Sequence, residues 1–76
     1  MHIAILEDQK SLADDLASLL KKNGHEMSIF GDSLYLVDAL QAELYDMFIL
    51  DSNVPSMNGF ELLKHIRTEL GFKTPV

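Results

Sequence analysis

Four apolar residues in succession, Met47-Phe48-Ile49-Leu50, end abruptly at Asp51. A run with no polar alternation suits a strand covered on both faces, as in a parallel sheet. The carboxylate is followed by Ser52-Asn53-Val54-Pro55-Ser56-Met57-Asn58-Gly59, in which Pro55 and Gly59 impose a loop before a new helical pattern starts near Gly59. An aspartate at the carboxyl end of a central parallel strand lies where open α/β sheets place their chemistry. That position makes Asp51 the first candidate for function.

The rest of the chain supplies strands and helices in alternation. His2-Ile3-Ala4-Ile5-Leu6 is a short apolar run that ends at Glu7-Asp8 and predicts a first strand. Ser11 then opens a helix, with Asp14 three residues on as an acidic variant of the capping box. Leu12, Leu16, Leu19 and Leu20 give this helix one apolar stripe. Asp14 and Asp15 load its first turn, Lys21 and Lys22 its last, and Asn23-Gly24 closes it. Over Glu26–Phe30, Met27 and Ile29 alternate with polar residues, which fits a half-exposed edge strand. Gly31-Asp32-Ser33 reads as turn and cap. Leu36, Val37, Leu40 and Leu44 predict a second helix to about Glu43, and Tyr45–Leu50 the third strand. Asn58 and Glu61 have the spacing of a capping box for a third helix. Phe60, Leu63, Ile66 and Leu70 form its apolar face and Gly71 its stop; Thr74-Pro75-Val76 begins a fourth strand.

The order is thus β-α-β-α-β-α plus the start of another strand, which implies a doubly wound parallel sheet of flavodoxin-like type with right-handed crossovers. Seventy-six residues allow a single small domain, with no linker or low-complexity tract within it. Twelve acidic residues against six basic ones give a net charge of −6, a surface that nucleic acid repels. There is no cysteine, hence no disulfide and no thiolate metal site. The N-terminus lacks a signal-peptide pattern, and no apolar run approaches the ~20 residues a membrane span requires, so a cytoplasmic protein is the expectation. His2, His25 and His65 fall on different elements without ligand spacing.

Two strands end in acid, the first at Glu7-Asp8 and the third at Asp51. In a 2-1-3 strand order all three carboxylates converge at one sheet edge. Like charges that close repel unless a cation sits between them, and a few hard oxygen ligands suit an octahedral Mg²⁺ that keeps several waters.

An acidic pair after strand one, an aspartate after strand three, a proline four residues on and a glycine eight residues on together resemble the receiver domain of two-component response regulators. The resemblance covers residues 1–76 and reads as the N-terminal portion of a single receiver domain. It implies that Asp51 is the phosphoacceptor and that a sensor histidine kinase supplies the phosphoryl group from a phosphohistidine. It also implies that Mg²⁺ is held by Glu7, Asp8, Asp51 and the backbone carbonyl of Asn53, with Asp8 a direct ligand. Pro55 and Gly59 match the family's loop residues, whereas Ser52 stands where the family usually has an apolar residue. The family's strand-four Ser/Thr and strand-five Lys have no counterpart: Thr74 falls too early, and Lys10 follows the first acidic pair.

Those departures keep open a phosphorylation-independent interaction module. A phosphohydrolase working through an aspartyl phosphate is a further alternative. It needs an acid/base aspartate two residues after the nucleophile, where this chain has Asn53. A flavin carrier is disfavoured, since Glu7-Asp8-Gln9-Lys10 replaces the Gly- and Ser/Thr-rich loop that a flavin phosphate needs. The expectation is a signalling phosphoacceptor and not an enzyme. An apolar third-strand edge without a complete fourth strand is also expected to pair with a second copy, giving a homodimer.

Overall fold

The computed structural model describes residues 1–51, 54 and 56–76. Three strands, β1 (His2–Leu6), β2 (Glu26–Phe30) and β3 (Met47–Leu50), alternate with three helices, α1 (Lys10–Lys22), α2 (Ser33–Ala39) and α3 (Gly59–Thr68). The sheet is parallel throughout, in the order β2-β1-β3. Ile3 lies opposite Met27 on one side and Met47 on the other, and Leu6 opposite Phe30 and Leu50. This is the α/β, flavodoxin-like arrangement that the alternation of elements predicts.

Side chains alternate across a strand, so β1 feeds two faces. Ala4 and Leu6 join Phe48, Leu36, Leu40, Tyr45, Leu62 and Ile66 in one buried cluster, which places α2 and α3 together on that face. Ile3 and Ile5, also buried, point to the opposite face, left to α1. Each fully buried leucine or isoleucine stabilises the fold by about 1.5–3 kcal/mol.

The strand covered on both sides is therefore β1, not β3. Of β3 only Phe48 is fully buried, and Met47, Ile49 and Leu50 are half-buried. The reason is position: β1 has a hydrogen-bonded neighbour on each flank, and β3 stands at the margin of the three strands. Along its outer side the Phe48 N–H donates to the Pro75 carbonyl at 2.8 Å. Thr74-Pro75-Val76, where a fourth strand is expected to begin, makes this contact beside β3 without regular strand geometry. β2 is half-exposed, as expected of an edge strand, although Ile29 is exposed and Ser28 half-buried, against its alternation.

Several boundaries and faces differ from those expected. α1 begins at Lys10 with Gln9 as its cap residue, because Glu7 Oε2 accepts the Gln9 N–H at 3.1 Å and turns the chain at once. Asp14 and Asp15 therefore lie beyond the first turn. Ala13 is its one fully buried residue, while Leu12 and Leu19 are exposed. The Asn23-Gly24 stop is as expected. Gly24, at φ 82, donates to Lys21 and His25 donates to Leu20, the paired bonds of a Schellman motif.

α2 ends at Ala39, short of Glu43, as the carbonyls of Asp38 and Ala39 turn to Gln41, Ala42 and Glu43. Leu44 is in consequence 78% exposed. Tyr45 precedes β3 and is buried, its hydroxyl donating to Glu43 Oε2 at 3.2 Å. Burial raises its phenol above the ordinary value; a Ser28 hydrogen bond pulls the other way, and the Glu43 carboxylate adds to the rise. In α3 the buried residues are Gly59, Leu62 and Ile66, and Phe60 is 75% exposed.

The predicted capping box of α3 is present. Asn58 Oδ1 accepts the Glu61 N–H at 2.9 Å, and Glu61 Oε1 accepts the Asn58 N–H at 3.3 Å. Asn58→Ala removes the Asn58 Oδ1 acceptor, keeps the backbone N–H that Glu61 accepts, and is expected to lower stability by about 1 kcal/mol. Urea unfolding followed by circular dichroism measures this; Asn58→Asp, which keeps the acceptor, is expected to stay near wild type.

Candidate functional site

β1 and β3 run the same way and end level, and the ladder continues one residue past each. The Glu7 N–H donates to the Phe30 carbonyl at 2.9 Å and the Asp51 N–H to the Leu6 carbonyl at 3.0 Å. These backbone bonds place Glu7 and Asp51 side by side at the carboxyl end of the sheet. Carboxylate oxygens of Glu7, Asp8 and Asp51 lie within 4.8 Å of one another. The structure thus brings together the three acidic side chains singled out from the sequence. The fourth, the Asn53 carbonyl, lies outside the described residues, as do Ser52 and Pro55.

The three differ in setting. Glu7 is buried at 7% exposure and accepts the Gln9 N–H; Asp8 is exposed and Asp51 is half-buried. A buried carboxylate with an exposed one beside it makes a site open on one side to water and ions. An all-oxygen donor set suits a hard divalent cation over zinc or copper, and few protein ligands leave coordination positions for water. The residues present therefore fit Mg²⁺. The histidines stay apart from this cluster, with His2 against Tyr45 at the opposite end of β1.

Sequence reasoning missed a second group beside the site. Asp32, expected only as turn and cap, does cap α2 by accepting the Leu34 N–H at 2.9 Å. Its other oxygen accepts the Ser56 hydroxyl at 3.0 Å, and Ser33 Oγ accepts the Met57 N–H at 2.7 Å. Partners 24 residues apart leave no mark in local spacing.

Residues 3–76 match the family model of the response regulator receiver domain. The chain belongs to this family. It is a receiver domain of the two-component response regulators. Among curated proteins it is 32% identical over 76 residues to the transcriptional regulatory protein DltR of Streptococcus agalactiae, covering all of this chain and 34% of that one. Among solved structures, the receiver domain of Francisella response regulator 1452 superposes with a TM-score of 0.90 at 20% identity, over 97% of this chain and 61% of that one. The response regulator TrrA of Thermotoga maritima, solved in complex with Mg²⁺–BeF, gives a TM-score of 0.83 at 24% identity, over 90% and 59%. The chain spans about a third of the length of the curated relative and about three-fifths of the solved receivers.

Three clustered carboxylates oppose folding when no cation is added. Removing one charge with Asp51→Asn is expected to raise stability in EDTA by on the order of 1 kcal/mol. Paired urea titrations test this, and an unchanged or lower midpoint for the variant would count against the crowding.

Proposed function

We propose that this receiver domain accepts a phosphoryl group on Asp51, with Mg²⁺ held by Glu7, Asp8, Asp51 and the Asn53 backbone carbonyl. The observation that carries the reading is the convergence of the three carboxylates at the ends of two adjacent strands. Receiver domains generally bind Mg²⁺, and the Thermotoga relative of the same fold was solved both with Mg²⁺–BeF and with the histidine kinase ThkA. On that basis the donor is a phosphohistidine of a sensor histidine kinase.

An Asp51 carboxylate oxygen attacks phosphorus, an O–P bond forms and the N–P bond of the phosphohistidine breaks, its electron pair returning to the imidazole. Bound Mg²⁺ supplies positive charge to the phosphoryl oxygens. Glu7, buried and held by the Gln9 N–H, would bind Mg²⁺ from the buried side, and exposed Asp8 would bind it from the side open to solvent. Asp51 is aimed by its own N–H, tied to the Leu6 carbonyl. In this reading the chain is the acceptor in phosphotransfer and not a free-standing enzyme.

MgCl₂ titration is expected to shift the backbone amides around Glu7, Asp8 and Asp51, and Asp8→Asn to abolish the response. Within the complete receiver, acetyl phosphate or a cognate kinase is expected to modify Asp51 alone. Borohydride trapping and mass spectrometry locate the label. Label that persists in Asp51→Asn overturns the assignment, and Mg²⁺ binding without labelling favours the interaction module.

The outer side of β3 is a further part of the proposal. Leu50, Phe60, Leu63 and Val76 line an apolar recess there, which suits edge pairing with a second copy of the 76-residue chain. Sedimentation at micromolar concentration is expected to give a dimer. A compact, cooperatively folding monomer would show that the Pro75 contact covers the edge by itself.

A further inference from the structure

Ser56 and Met57 are held from the side by the start of α2. Ser33, the first residue of that helix, has no exposed surface, and its hydroxyl oxygen accepts the Met57 N–H at 2.7 Å. One residue earlier Asp32 divides its carboxylate between two tasks. Oδ1 accepts the Leu34 N–H and caps α2; Oδ2 accepts the Ser56 hydroxyl. α2 is itself fixed, since Leu36 is fully buried in the cluster beneath Ala4, Leu6 and Phe48.

The two residues gripped in this way are unusual. Ser56 sits at φ 71, in the left-handed region that residues other than glycine seldom adopt. A conformation of that kind persists where its surroundings hold it. Met57 turns its side chain onto the same buried cluster. On the two sides of residues 52–55 the chain is therefore held at three places. The Asp51 N–H is bound to Leu6, residues 56 and 57 are bound to α2, and Asn58 closes the capping box.

The geometry points to Asp32 and Ser33 as positioning residues, a clamp from α2 that holds Ser56 and Met57 and so bears on the aim of the Asp51 carboxylate toward Glu7 and Asp8. The inference rests on the phosphoacceptor reading of Asp51 and adds a means of controlling it. Neither residue belongs to the acidic cluster. They act through residues 56 and 57, as outer-shell partners act through the ligands they orient. Any partner that shifts the start of α2 then changes the readiness of Asp51 without touching it.

The test uses the full chain with MgCl₂ as probe and compares wild type, Ser33→Ala, Ser56→Ala and, as a control at the far end of α1, Asn23→Ala. Two quantities are read by NMR: exchange of the Met57 amide, and the Mg²⁺ midpoint from the Asp8 and Asp51 amide shifts. Ser33→Ala is expected to speed Met57 exchange about tenfold while Ala4 and Ile5 keep their protection. Both serine variants are expected to raise the Mg²⁺ midpoint by about threefold or more, and Asn23→Ala to leave it unchanged. Wild-type midpoints in both serine variants, or an equal rise in the control, overturn the clamp. Should Ser33→Ala fail to fold, exposed Ser56→Ala decides. Should wild type show no Mg²⁺ response, the metal reading of the site fails on its own. The clamp is then judged without metal, by Met57 exchange and by displacement of the Asp51 amide resonance in Ser56→Ala; no change in either overturns it.

Discussion

Leu6 lies opposite Leu50 in a parallel ladder, and the Asp51 N–H continues that ladder to the Leu6 carbonyl, so β1 and β3 finish at the same level. Everything at the acidic site follows from this register. A slip of one residue would move Asp51 by about 3.3 Å and turn its side chain to the other face of the sheet. The register is protected because β1 is buried on both faces, with Ile3 and Ile5 toward α1 and Ala4 and Leu6 toward α2 and α3. A slip would break the apolar packing of the cluster around Ala4, Leu6 and Phe48, and packing on that scale outweighs the repulsion among three carboxylates.

The site thus carries an electrostatic conflict that the core holds in place. Glu7 is drawn inside by its position one residue past the most buried strand, where the Gln9 N–H meets its carboxylate. Asp8 and Asp51 remain nearer solvent. An all-oxygen cluster open to solvent on one side suits a hard divalent cation. Family membership and site geometry converge here from independent directions, one from the match over residues 3–76 and the other from side-chain placement.

Support for the site extends past the sheet to the face shared by α2 and α3. Leu36, Leu62 and Ile66 fasten the two helices to the same cluster, and Asp32 and Ser33 then grip Ser56 and Met57. One helix start therefore does two things: it terminates the turn after β2 and it restrains Ser56 and Met57 ahead of α3. That double use explains why a serine stands fully buried at the first position of α2, with its hydroxyl facing a backbone N–H.

Local chemistry made much of this legible in advance. The alternation of apolar runs and helical stripes announced the β-α-β-α-β-α order; Asn58 with Glu61, and Asn23 with Gly24, marked helix ends that depend on neighbours within a few residues. The acidic strand ends identified Glu7, Asp8 and Asp51 because a parallel 2-1-3 order leaves them no other place. Which leucines are buried was decided only by tertiary structure. Leu12, Leu19, Leu44 and Phe60 fit the helical period yet face outward, whereas Ala13 and Leu62 face in, since a helix buries the side that meets a neighbour and periodicity does not say which side that is. The cover expected on both sides of β3 from its apolar run belongs instead to β1, as a strand's cover depends on what lies on each flank. The tie from Asp32 and Ser33 to Ser56 and Met57 had no local signal at all: hydrogen bonds across 24 residues exist only once the chain has folded back on itself.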